Sequence, residues 1–150
     1  NLVEEMVTKI AQEVLGVDQL EYQGTRIELK RPWPRIPMLE AIRIHSGHDI
    51  AGLSEAELRK LGQSLHLKNI NELPNKGKLI DEFFSEFVEP KLIQPIFITD
   101  YPVELSPLAK KHRTQPGLVE RFETYIGGRE IANAFSELND PLDQRERLEE

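Results

Sequence analysis

The stretch "FETYIGGREIANAFSELND" places carboxylates at Glu123, Glu130 and Glu137 around the pair Gly127-Gly128. Read as a two-residue hairpin turn, the glycines set Ile126 opposite Arg129 and Tyr125 opposite Glu130. Glu123 then lies diagonally from Glu130 on the same face. Two carboxylates on one face repel each other, but near a divalent cation they become oxygen ligands. Mg²⁺ takes one or two carboxylates and completes its shell with water and phosphate oxygens. Glu123 and Glu130 therefore read as a clamp for a metal-bound nucleotide.

Asn133, Phe135 and Glu137 step by two beyond that pair and share a face. An amide, an aromatic wall and a carboxylate in a row suit a ligand with an apolar stem and a cationic end. Simple alternation puts Asn133 and Glu137 on the face opposite Glu130. For all of them to line one cavity, β-pairing must slip near Ala132, between Ile131 and Asn133. The other reading is a strand with one face in water and its carboxylates merely solvated. Spacing alone leaves both open.

Elements that could position these residues are legible. Leu2, Met6, Val7, Ile10, Val14 and Leu15 recur at helical steps over residues 2–15, and Gly16 suits the C-cap. "LEYQGTRIELK" alternates around Gln23-Gly24 as a hairpin, and the prolines of "RPWPRIPM" make an extended connector. "MLEAIRIHSG" reads as a helix ended by Gly47, and Ser54 with Glu57 opens a second helix with a capping box. "KLIDEFFSEFVEPKL" is a third helix, carrying Leu79, Ile80, Phe83, Phe84, Phe87 and Val88 inward. "QPIFITDYP" is a short buried strand, and Asp140-Pro141 starts a last helix. The expected class is α+β, an antiparallel sheet with a helical insertion. Its parts are a helix and hairpin over 1–36, the helical insertion over 37–90, and core strands with the candidate-site hairpin over 91–150.

The 150 residues carry a net charge of -7 and no cysteine. Disulfides and thiolate metal sites are excluded, which fits a cytosolic chain. An acidic surface is a poor partner for nucleic acid, so no direct nucleic-acid face is expected here. No apolar run approaches the roughly 18 residues a membrane span needs. Lys110, Lys111, His112 and Arg113 form the one basic cluster, either solvated or on a mobile loop near a bound nucleotide. His45 and His48 read as loop residues rather than zinc ligands, and Trp33 as a packing anchor. Neither terminus coincides with an element boundary, so the chain reads as a piece of a longer one.

"ITDYPVELSPLAK" and "GGREIANAFSELNDP" closely resemble the segment before motif 3 of class II lysyl-tRNA synthetases, and "KLIQPIFI" and "RIPMLEAI" agree in order. The resemblance implies the catalytic core of that family between motifs 2 and 3, with residues 37–90 holding its helical insertion. It implies activation of lysine with ATP to lysyl-adenylate, followed by transfer to tRNA(Lys), in a cytoplasmic homodimer. Carried across, the metal-binding glutamates match Glu123 and Glu130, which hold Mg²⁺ on ATP. The lysine pocket matches Asn133 near the carboxylate, Phe135 along the stem and a buried Glu137 on the ammonium. Motifs 1, 2 and 3 and the anticodon-binding barrel lie outside these residues, so the fragment alone is expected to be inactive. Two other readings are a truncated paralogue that lysylates a protein and a non-catalytic module that binds a partner through its helices.

Overall fold

The computed structural model describes residues 2–149. Helix α1 (Leu2–Ile10) runs into a single π turn, Ala11–Leu15, closed by Gly16 at φ +67°. A hairpin follows, β1 (Gln19–Tyr22) and β2 (Thr25–Glu28), its turn made by Gln23 and Gly24 at φ +51° and +77°. Strand β3 (Arg35–Pro37) leads into α2 (Met38–Ser46), α3 (Glu55–Ser64) and α4 (Lys76–Phe87). Strands β4 (Ile96–Thr99), β5 (Arg121–Ile126) and β6 (Arg129–Phe135) precede α5 (Pro141–Glu149).

The larger sheet has the order β3-β4-β5-β6. β4, β5 and β6 are antiparallel neighbours, whereas β3 pairs with β4 in parallel. The connector read as merely extended thus contributes an edge strand. Prolines are tolerated there because an edge strand need not donate every N–H.

Each face of this sheet has its own apolar cluster. Ile98 and Tyr125 join Met38, Ile42, Leu79, Phe83 and Phe84 of the helices in one cluster. Phe97 and Phe122 point the other way, to Trp33, Ile27, Leu29 and Ala11. Alternation explains the split, since Ile98 pairs with Glu123 while Phe97 pairs with Thr124. Ring contacts knit both sides: Phe84 to Tyr125 at 5.8 Å, and Trp33 to Phe97 at 5.7 Å. Burying each such ring contributes about 1.5–3 kcal/mol.

Caps set the helix starts. The Ser54 hydroxyl and the Glu57 carboxylate satisfy each other's backbone N–H groups at α3, as the capping-box spacing predicts. Asn75 accepts from Lys78 N–H at α4, and Asp140 accepts from Leu142 N–H at α5. Helix α3 stops at Ser64, sooner than its pattern suggests, and His66 turns left-handed at φ +58°.

One periodicity points the other way from its burial. The buried line of the first helix is Glu4, Thr8 and Ala11, while Leu2, Met6, Ile10, Val14 and Leu15 face out. Hydrogen bonding is the reason. Glu4 accepts from the Trp33 N–H at 2.9 Å and from Arg35 at 2.9 Å. Burial alone would raise the Glu4 carboxyl, but these donors and the Arg35 charge outweigh it and hold it below the usual range. Trp33 is the packing anchor the sequence suggests, with its indole N–H on Leu29 O at 3.1 Å.

This burial pattern predicts two opposite mutational outcomes in urea unfolding of the 150-residue chain. Phe84→Ala, at a side chain 2% exposed, costs about 3–5 kcal/mol. Met6→Ser, on the outward face of α1, changes stability by less than about 0.5 kcal/mol.

Candidate active site

The β5–β6 hairpin turns at Gly127-Gly128, both with positive φ, and sets Ile126 opposite Arg129 and Tyr125 opposite Glu130. The next pair is Thr124 with Ala132, so Ile131 is left without a partner and forms a β-bulge. The slip falls one residue before Ala132. It reverses the alternation of everything that follows. Without it Asn133 would pair with Phe122 and face α1; with it Asn133 pairs with Glu123 and Phe135 with Arg121. Glu130, Glu123, Asn133 and Phe135 therefore share one face, together with Arg121 and Tyr125. Glu137 follows Phe135 by two residues and forms a backbone bridge with Ala109.

Burial separates these residues. Glu123 is 6% exposed, whereas Glu130, Asn133, Phe135 and Glu137 are open to solvent. The expected burial of Glu137 is thus not seen in this chain. A buried carboxylate needs several donors. Glu123 has them: the hydroxyls of Tyr101 and Tyr125 each donate to Oε2 at 2.7 Å, and Arg121 pairs with Oε1. Arg121 also lies 4.6 Å over the Tyr101 ring and donates to Leu105 O and Ser106 Oγ. Burial and the Glu123 charge push both tyrosine hydroxyls well up, so they remain donors.

Beside Glu123 a hollow of about 230 Å³ opens between α4 and the sheet, lined among others by Asp81, Glu89, Glu123 and Glu130. Lys78 pairs with Asp81 and Arg121 with Glu123, and among these lining residues four carboxylates still face only two cations. Burial raises the Glu89 carboxyl, the charges of Asp81, Glu123 and Glu130 add to the rise, and Tyr125 partly opposes it. Burial and Glu123 raise Glu130 likewise, with Arg121 offsetting part. Ionised together these groups repel, and a divalent cation would relieve that repulsion. The donor set is all oxygen, as Mg²⁺ requires. Among the described residues no three His, Asp or Glu side chains already form a ligand cluster, so water and phosphate oxygens would supply the remaining ligands.

A second hollow of about 510 Å³ lies at the other end of the hairpin, where Phe135 meets Asp100, His112 and Arg113. Three residues of the basic cluster have acidic partners. Lys111 pairs with Asp143 at 3.1 Å, His112 with Asp100 at 3.5 Å, and Arg113 with Glu120 at 2.8 Å. Arg147, then Lys111, hold the Asp143 carboxyl down at about 2.

Arg121, Tyr101 and Glu89 were not singled out from sequence. Arg121 and Tyr125 flank Glu123 at steps of two, so strand alternation alone would have placed them on its face. Tyr101 comes from the loop after β4 and Glu89 from a 3-10 turn after α4, and no local pattern points to them.

The raised carboxyls give a pH prediction for the 150-residue chain. In the unfolded chain Glu89 ionises near the ordinary value, about 4.3. The folded chain holds that proton to higher pH, so stability is lost as pH rises from there through the raised value. Glu89→Gln keeps the size and polarity of the side chain and cannot ionise. Its melting temperature should exceed the parent's at pH 7, with the gap closing toward pH 4. A gap independent of pH would contradict this account.

A family model described as tRNA synthetases class II (D, K and N) matches residues 1–150. A lysine–tRNA ligase of Porphyromonas gingivalis is 54% identical over 150 residues, which are 100% of this chain and 26% of that protein. A lysine–tRNA ligase of Pelotomaculum thermopropionicum is 52% identical over 153 residues, 99% of this chain and 30% of the relative. A third, from Nostoc sp., is 50% identical over 149 residues, 99% of this chain and 27% of the relative. The present chain thus spans about a quarter to a third of the length of the relatives it matches. With the family model matching from end to end, the chain belongs to the class II tRNA synthetases (D, K and N).

Proposed function

We propose that the chain is the lysine- and ATP-binding wall of a lysine–tRNA ligase, whose whole protein activates lysine with ATP and transfers it to tRNA(Lys). The observation that carries this reading is the bulge at Ile131, which gathers Glu123, Glu130, Asn133 and Phe135 on one face. The relatives' shared description as lysine–tRNA ligases supports the choice of amino acid.

On this reading Asn133 donates its amide N–H to the lysine carboxylate and Phe135 packs along the methylene stem. Glu137 accepts from the terminal ammonium. Selectivity on this reading requires the rest of the whole protein to shield Glu137 from water, so that an amino acid without that cation leaves it unpaired. Glu123 and Glu130 would hold Mg²⁺, which when bound would supply neutralisation of charge on the ATP phosphates. The residues of this chain position the lysine carboxylate for in-line attack on the α-phosphorus, so their contribution is orientation and electrostatics. Motif 2 and motif 3 residues would complete the site. The 150-residue chain alone therefore should not catalyse exchange. A homodimer in the cytoplasm is part of the same reading. No helix of the described residues is long and apolar enough to cross a membrane.

The test is lysine-dependent ATP–pyrophosphate exchange by the full-length chain. Glu137→Gln should lower kcat/KM for lysine by about 100-fold, through loss of a charge-assisted hydrogen bond worth roughly 2–3 kcal/mol. Exchange that depends on another amino acid, or a Glu137→Gln variant with unchanged kcat/KM, would refute the reading. A partner-binding module would need an exposed apolar face on α4, and Phe83 and Phe84 there are buried.

A further inference from the structure

Arg121 touches both halves of the candidate site. Its Nη2 pairs with Glu123 Oε1, on the proposed metal–nucleotide side. Its Nε donates to Asn133 Oδ1 at 3.3 Å, on the proposed amino-acid side. The guanidinium is itself fixed, by Leu105 O at 3.0 Å, Ser106 Oγ at 2.8 Å and the Tyr101 ring. Ser106 is buried, so these anchors are shielded from water.

The contact with Asn133 has a chemical consequence. An amide side chain can present either its oxygen or its NH₂, and its neighbours decide which. A guanidinium N–H can only donate, so it selects the flip in which Oδ1 faces Arg121. The two Nδ2 hydrogens are then turned away from Arg121 and toward a ligand. A donor pair suits a carboxylate; the opposite flip would present an acceptor and repel it. On Glu123, meanwhile, the tyrosine hydroxyls occupy Oε2 and Arg121 takes one lone pair of Oε1. Of roughly four lone-pair sites on a carboxylate, the free one is on Oε1.

We propose that Arg121 is a positioning residue that sets the Asn133 amide to receive the amino-acid carboxylate while holding Glu123 for the metal. The proposal rests on the lysine–tRNA ligase reading. It needs no contact between Arg121 and substrate. A lysine cannot replace the arginine, because one ammonium has no planar fork to reach Glu123, Ser106 and Asn133 together.

The test uses the full-length chain and two ligands, lysine and 1,5-diaminopentane, which is lysine without its carboxylate. Both are titrated calorimetrically into the parent and Arg121→Lys proteins, with the melting temperature recorded. Arg121→Lys should weaken lysine binding about tenfold and leave diaminopentane within about twofold, in the lower range for loss of a supporting contact. Equal weakening of both ligands, or of neither, overturns the proposal. Should Arg121→Lys not fold, the parent protein with ¹⁵N-labelled asparagine side chains answers the same question. Lysine should shift the Asn133 side-chain amide resonance, assigned with Asn133→Ser, and diaminopentane should not. Absence of a lysine-specific shift overturns the proposal. A parent protein that binds neither ligand and shows no lysine-dependent exchange refutes the ligase reading itself, which keeps the two failures apart.

Discussion

The structure turns on a carboxylate that must not be left alone. Glu123 sits at the centre of the sheet with 6% of its surface exposed. An ionised carboxylate in such a place costs several kcal/mol unless donors surround it. The fold brings those donors from three directions: Tyr125 and Arg121 from its own strand, Tyr101 from the loop after β4. Tyr125 also packs its ring on Phe84 of α4, and Tyr101 belongs to the same apolar cluster. The helices are therefore fixed to the sheet through the residues that satisfy the charge.

The β-bulge then decides what this charge can do. One extra residue in β6, Ile131, turns Asn133 and Phe135 from the α1 side to the Glu123 side. A regular strand would have divided the polar side chains between two faces and given neither a site. The exposure of Asn133, Phe135 and Glu137 follows from β6 being the last strand of the sheet. The buried half supplies rigidity, and the exposed half remains open to a ligand. Glu89 adds to the acidic hollow from the end of the helical region, which ties that region to the chemistry of the hairpin.

Local patterns made most elements readable. The Ser54–Glu57 box, the Asp140-Pro141 start, the Gly127-Gly128 turn and the left-handed Gly16 and Gly47 are short-range signals and stand where the sequence puts them. The bulge was legible as a condition, because simple alternation sets Asn133 and Glu137 on the face opposite Glu130, and the pairing does shift at Ile131. What was not legible depends on distant partners. Proline content hid β3, whose parallel pairing with β4 joins residues about 60 positions apart. Helical periodicity suggested that α1 buries its leucine and methionine, yet Trp33 and Arg35 instead draw Glu4 inward. Tyr101 and Glu89 reach the site through tertiary packing alone. The family resemblance points to Glu123, Glu130, Asn133, Phe135 and Glu137, and not to Arg121, Tyr101 and Glu89, which the fold brings beside Glu123.

In the proposed enzyme one face of the bulged hairpin binds both the metal–nucleotide and the amino acid. A crystal structure of the full-length chain with lysine and Mn²⁺–ATP tests it most directly. Manganese identifies itself by anomalous scattering and stands in for Mg²⁺ on oxygen ligands. The account predicts an anomalous peak between Glu123 and Glu130, and lysine with its carboxylate at Asn133 and its ammonium at Glu137. Manganese on other side chains, or lysine bound away from the Asn133–Phe135–Glu137 face, would contradict it.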